Sequence, residues 1–209
     1  MDLATSKNLG GVGAILMFIA PLLMFAASYA GLLGLIGFIL VLIALKGFAD
    51  HYKDAGIFNN ALYGFITTIV GGVVAVGVFV ITALTVVADL GIDDWTSATE
   101  WTDLITAEAA LDSLLTLIGG IVAALIILFV FAILTAWLYR KSLGSLASKS
   151  GVGLFGTAGL LLLVGAVLTI IIIGLLLIWI AVILLAVAFF SIKTTAGPAP
   201  ETPPPPPPS

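Results

Sequence analysis

Long apolar runs separated by short polar clusters set the pattern of this chain. From Leu9 to Phe48 it is apolar except for a small, polar break at Ser28-Tyr29-Ala30-Gly31 and the cation Lys46 near its end. Forty residues of helix would reach about 60 Å, twice the roughly 30 Å of bilayer hydrocarbon, so the run must fold back at that break. The pattern predicts helix 1 over 9–27 and helix 2 over 32–48. Pro21 inside helix 1 removes one backbone hydrogen bond and is expected to bend it. Lys7, the apolar core and Ser28-Tyr29-Ala30 also fit a signal peptide with its cleavage site. The segment is expected to be retained as the first span.

Two further apolar blocks predict helix 3 over 62–87 and helix 4 over 113–139. Trp137 and Tyr139 precede Arg140-Lys141, an interfacial aromatic pair followed by anchoring charges. Leu154 to Ile192 is again too long for one span. Gly174 is the expected turn, giving helix 5 over 154–172 and helix 6 over 175–192, with Trp179 near the outer interface. Between the blocks lie a polar segment of mixed charge (ADHYKDAGIFNN, 49–60), an acidic stretch (88–112) and a basic, glycine-containing loop (140–153). Asn59 or Asn60 is expected to cap helix 3, with Phe58 anchoring at the interface. The prolines after residue 193 predict an extended, disordered tail over 194–209, in the polyproline II conformation.

Composition makes lipid the solvent. The 209 residues are 62% hydrophobic and 9% charged, against about 45–50% apolar and about 25% charged in soluble domains. The net charge of −4 argues against nucleic acid as a partner. There is no Cys, which removes disulfides, thiol catalysis and thiolate metal sites, and the one His, His51, cannot form a multi-histidine site. The expected fold class is therefore all-α, a polytopic transmembrane bundle of six helices in three hairpins, with residues 1–193 as the membrane domain.

Charge predicts how the bundle is threaded. With six spans, one side receives Lys7, Lys46, Lys53, Arg140, Lys141, Lys149 and Lys193, which are all seven basic residues. The other side receives none of them. It carries instead the acidic stretch with Asp89, Asp93, Asp94, Glu100, Asp103, Glu108 and Asp112. The positive-inside rule then puts both termini in the cytoplasm and 88–112 outside the cell membrane. A five-span alternative moves Lys193 outside and needs one span of 39 residues, so it is rejected. Lys7-Asn8-Leu9-Gly10-Gly11-Val12-Gly13 and Lys149-Ser150-Gly151-Val152-Gly153 open helices 1 and 5 alike, which hints at an internal duplication. Glycines at membrane-helix ends explain the same match, and that reading is preferred.

Chemistry has few places to sit. The predicted spans hold no ionisable residue away from their ends, whereas proton relays and ion-coupled transport usually leave one at depth. Interior polarity is limited to hydroxyls, among them Thr67, Thr68, Thr82, Thr116, Thr135, Thr157 and Thr169, and a membrane Thr usually bonds its own helix. Gly71 with Ala75 and Gly120 with Ala124 have the spacing that lets helices approach closely. Depth along the helices sets the two pairs apart, and Gly71 is expected to receive a bulky neighbour such as Phe129. Gly10 to Gly13 and Gly151 to Gly153 lack the strand and the Lys-Ser/Thr of a phosphate loop. In the acidic stretch, Asp93, Asp94, Glu100 and Asp103 match no calcium loop. Ser97-Ala98-Thr99-Glu100 reads better as a capping box starting a short interfacial helix, with Trp101, Leu104, Ile105 and Ala109 on the membrane and Glu100 and Asp103 in water. No catalytic, cofactor-binding or metal-binding residue is expected, and no cofactor.

The run LIALKGFADHYKDAGIFNNALYG (42–64), with the opening SKNLGGVGAIL, resembles an uncharacterised prokaryotic family known only as domain of unknown function 996, best represented in archaea. Its most specific part is Tyr52-Lys53-Asp54 followed by Ile57-Phe58-Asn59-Asn60-Ala61-Leu62, and the resemblance extends over nearly the whole chain. Family members often end in a proline-rich linker leading to a small zinc ribbon. Without Cys here, no metal site carries over. The family brings no established activity.

Together these features predict a non-enzymatic structural or accessory component of a membrane assembly. Its expected partners are the lipid bilayer and other proteins, or a second copy, met through glycine-rich helix faces. The alternative is a passive channel or facilitator for small neutral solutes, lined by Thr and Gly. A third reading makes the proline tail a docking segment for an aromatic-lined groove.

Overall fold

A computed structural model describes residues 1–23, 30–89 and 109–193. These residues form six helices, α1 (Leu3–Leu23), α2 (Ala30–Tyr52), α3 (Ala55–Asp89), α4 (Ala109–Ser150), α5 (Leu154–Leu168) and α6 (Ile173–Ser191). A single 3-10 turn, Thr169–Ile171, joins the last two. All six helical segments are long and apolar enough to cross a membrane, the fifth counted with that turn. The expected acidic-loop helix, Ser28 and Tyr29 of the expected break, and the proline tail lie outside the described residues, while Ala30 and Gly31 of that break already open α2.

Local chemistry explains where the helices begin and end, and it moves several expected boundaries. Asp2 caps α1, its carboxylate accepting the Thr5 amide at 2.6 Å, so the helix starts six residues before the expected Leu9. Pro21 does lie inside α1. At the α2–α3 corner Lys53 takes a left-handed φ of 54°, and Asp54 accepts the Gly56 amide at 2.9 Å. Asp54 is thus the cap of α3, which begins at Ala55. Neither Asn59 nor Asn60 caps it, and Asn60 instead donates to the Gly56 carbonyl at 2.7 Å, one turn inside.

The largest departure is in α4, which runs 42 residues, about 63 Å at 1.5 Å per residue. Residues 140–150, expected as a loop, are its last three turns. Ser142, Leu143 and Leu146 recur at helical spacing and are buried, and the Ser142 hydroxyl donates to the Ile57 carbonyl of α3. The helix stops where Gly151 turns to a φ of 72° and its amide bonds the Ala147 carbonyl at 3.0 Å.

At the far end of α5 the chain turns through Thr169–Ile172, with Ile172 at a φ of 66°. That is an unfavourable conformation for a β-branched residue. Gly174, the expected turn residue, is instead buried in the first turn of α6. A Cβ there would collide with the Gly165 carbonyl and the Thr169 amide. Gly174 is therefore needed for close helix contact and the turn falls just before it.

Each helix packs against the next in sequence, and α6 returns to α1, so the six follow one another around a ring. The two sides of α1–α2 approach most closely at Gly13 and Gly37, where a Cβ on either would strike the other's carbonyl oxygen. Lys7 donates to the Ile192 carbonyl at 2.8 Å, tying the start of α1 to the end of α6. Phe189 stacks on Phe48 at 5.8 Å and meets Phe155 edge-on at 5.0 Å. These contacts gather the start of α1, the α2–α3 corner, the α4–α5 corner and the end of α6 at one end of the bundle. All seven basic residues therefore belong to that end. The main buried cluster is centred there too, around Leu45, Phe48, Ile57, Leu146, Phe155, Phe189 and Ile192.

Candidate functional site

Just beyond this packed end a cleft of about 380 Å³ opens among α3, α4, α5 and α6. Its floor is aromatic. The Tyr139 ring lies against Gly64 of α3, where a Cβ would sit only 3.1 Å from Cζ. Phe38 of α2 meets Tyr139 edge-on at 6.0 Å and Phe65 at 5.2 Å. Glycine at 64 is what lets the tyrosine ring close the seam between α3 and α4. The Tyr139 hydroxyl is sealed from solvent and has no hydrogen-bond partner, an uncompensated group costing about 1–3 kcal/mol.

One turn above, Thr68 and Thr135 face each other with their hydroxyl oxygens 3.2 Å apart. Thr68 also donates to the Gly64 carbonyl at 3.0 Å, and Thr135 reaches the same carbonyl at 3.5 Å. This is a second polar link between the two long helices, beside the Ser142–Ile57 bond. Higher still, Phe131 fills the notch at Gly71, and Thr82 fills the one at Gly120. Gly71 thus receives a phenylalanine of α4 as expected, but Phe131 rather than Phe129. Two residues along a helix differ by about 200° in direction, so Phe129 points instead toward α5 and α6, where it lines a neighbouring groove.

The other residues singled out in the sequence fall as follows. Thr82, Thr157 and Thr169 bond carbonyls of their own chain segment, at Val78, Gly153 and Ala166, as membrane threonines commonly do. Trp179 stacks on Phe18 at 4.5 Å and donates its indole N–H to the Phe18 carbonyl at 3.0 Å. Phe18 neighbours Met17, whose carbonyl Pro21 leaves without its helical donor, so the indole supplies polar compensation at the weakened part of α1. The two Gly-Val-Gly segments occupy different settings. Gly10, Gly11 and Gly13 lie inside α1, where Phe189, Phe190 and Gly37 crowd them, whereas Gly151 and Gly153 precede α5 in open space. At the basic end Lys46 pairs with Asp50 at 2.7 Å, and the Lys141 ammonium sits 3.6 Å from the Trp137 ring centroid. Among the described residues no three His, Asp or Glu side chains gather as a metal site. Asp93, Asp94, Glu100 and Asp103 lie outside those residues.

Six long apolar helices with hydroxyls as their interior polarity define a multi-pass membrane protein. Over residues 33–183 the chain matches the family described as "Protein of unknown function (DUF996)", and it belongs to that family. It is 27% identical over 197 residues to the uncharacterised protein MJ1644 of Methanocaldococcus jannaschii, covering 92% of this chain and 94% of that relative. No solved structure matches it.

Proposed function

We propose that this protein is a non-enzymatic structural or accessory component of a membrane assembly, built as three helical hairpins. The observation that carries this reading is the unequal use of α3. On one side, Gly64 and Gly71 are filled by Tyr139 and Phe131 of the same chain. On another, Gly77 has nothing within 4 Å of where a Cβ would be. Around it stand Val73 and Ile81, each 67% exposed, and Leu84. A glycine standing bare among larger exposed neighbours leaves a notch in which a second helix can pack closely. A hydrophobic helix longer than the bilayer core also favours association.

The gathering of all seven cations at one end supports placing that end, with both termini, in the cytoplasm. The acidic stretch 88–112 then faces outward, its Ser97–Glu100 capping box starting an interfacial helix, and the proline tail is a cytoplasmic docking segment. A facilitator for neutral solutes would need a route past Phe48, Phe155 and Phe189, whose packing at the basic end weighs against it.

The Cys-free sequence makes the test direct. Gly77→Cys, carrying a photoactivatable thiol reagent, should cross-link in native membranes to a second polypeptide or a second copy. Native mass spectrometry after mild extraction should show the same assembly. A lone chain with no cross-linked product overturns the proposal. For orientation, Thr99→Cys should react with an impermeant maleimide on intact cells, and Lys193→Cys only after permeabilisation; the reverse result would refute the topology.

A further inference from the structure

Three apolar spaces beside α4 adjoin one another. The cleft at Thr68 and Thr135 shares Gly72 and Leu128 with a groove of about 410 Å³ along the α3–α4 seam. It shares Leu128 and Ala132 with another of about 570 Å³ that runs to Thr169, Ile170 and Leu175. No charged side chain lines any of the three. Each is within the roughly 300–1,000 Å³ of ordinary ligand sites. Water needs two to four polar partners to be held in such a space. Thr169 is already bonded to Ala166, the Tyr139 hydroxyl is sealed, and the remaining wall offers hydroxyls at Thr68 and Thr135 alone. Hydrocarbon is the filling that this lining accepts.

Helix lengths explain why a gap exists there. α3 has 35 residues, about 52 Å, while α5 with its following turn has 18, about 27 Å. The shorter element fits upright in a hydrocarbon core of about 30 Å; the longer must tilt or stand proud. The crevice lies where elements of these two lengths meet.

We infer that the crevice holds an anionic phospholipid of the surrounding bilayer. Its hydrocarbon chain runs along α4 from Ala132 past Leu128 to Leu125. The glycerol-linkage oxygen sits at Thr135, whose hydroxyl can turn from Thr68 to donate to it. Arg140, exposed at its side chain and packed through its backbone against Gly159 of α5, follows on α4 about 8 Å further toward the basic end and meets the phosphate. The site is thus polar at one end and apolar along its length, like the molecule it takes.

The test uses the full chain extracted from membranes in mild detergent. Native mass spectrometry should show a phospholipid adduct that survives detergent exchange, and extraction should identify it as anionic. Gly72→Phe fills a position with nothing within 4 Å and should lower occupancy at least five-fold; Gly119→Phe, equally open and outside the crevice lining, should leave it unchanged. In phosphatidylcholine vesicles doped with a diazirine-chain phosphatidylglycerol, labelling of the wild-type chain should concentrate in α4 residues 125–135 and fall in Gly72→Phe. This second readout does not depend on the lipid surviving detergent exchange. Retained lipid insensitive to Gly72→Phe, label spread evenly over all exposed faces, a phosphate-free amphiphile in the extract, or a second polypeptide cross-linked in the crevice would each overturn the inference.

Discussion

The two ends of this bundle are built on opposite principles. At the basic end three phenylalanines, Phe48, Phe155 and Phe189, are fully buried among elements contributed by all six helices. Toward the other end α3 and α4 have each other but expose apolar faces, with Val73, Val76, Ile81, Leu84, Leu111 and Leu115 largely uncovered. Both regions are rich in apolar side chains. What differs is whether side-chain size varies enough for interlocking. The packed end combines large aromatics with Gly10, Gly11 and Ala188, so rings enter the gaps between helices. Away from the Gly71 and Gly120 notches, the exposed faces of the open end carry mainly medium aliphatic residues, which lipid solvates as well as protein does. Within a bilayer, close packing and hydrogen bonds drive association because lipid tails are themselves apolar.

That contrast can be broken most severely where backbones touch. Gly13→Leu should push α1 off α2, because the added carbon meets the Gly37 carbonyl, and reversible unfolding in detergent should show no native transition at all. Phe189→Ala should cost about 3–5 kcal/mol, the range for emptying an aromatic core site, and a similar loss for an exposed Ile81→Ala would erase the distinction drawn here. Ser142→Val should cost about 1–3 kcal/mol by leaving the Ile57 carbonyl without its side-chain donor in a buried setting. A double-mutant cycle between Thr68→Val and Thr135→Val should give a coupling near 0.6 kcal/mol, the average for such bonds in membranes. Ile81→Ala should stay within about 0.5 kcal/mol when the isolated chain is unfolded. Finally, the Thr5 hydrogen bonds hold the exposed Asp2 carboxyl below its ordinary value of 3.8. Its contribution to α1 is complete above that value and disappears as pH falls through the lowered one. Amide protection at the start of α1, taken relative to the intrinsic exchange rate at each pH, should therefore fall only in acid, and Asp2→Ala should abolish that step.

The spans were readable because long apolar runs have one outcome in lipid, where every backbone group must be satisfied within a helix or a closed barrel. Their boundaries were less so. Asn59 or Asn60 was the expected cap, but the left-handed Lys53 ends α2 early enough that Asp54 takes that place. The extension of α4 did leave a trace, the spacing of Ser142, Leu143 and Leu146, but Gly144 and Ser145 between them disguise it as a loop. Gly174 was rightly singled out as unusual and wrongly assigned to a turn, because glycine serves close contact as readily as chain reversal. Of the cleft, Thr68, Thr135 and Gly71 were visible as individual polar or small residues. Their convergence with Tyr139, Leu162 and Ile178 depends on how α5 and α6 stand against α3 and α4. No local spacing encodes that relation.

The uninterrupted course of α4 has a mechanical consequence. A rod of about 63 Å carries both its ends with it: pivoting by about 10° at its midpoint displaces each by about 5 Å. Its last turns are gripped at Ile57 and Phe155, while its first turns project past the end of α5. A sideways load applied to the free end is therefore delivered to the α3 corner and the base of α5 without crossing a hinge.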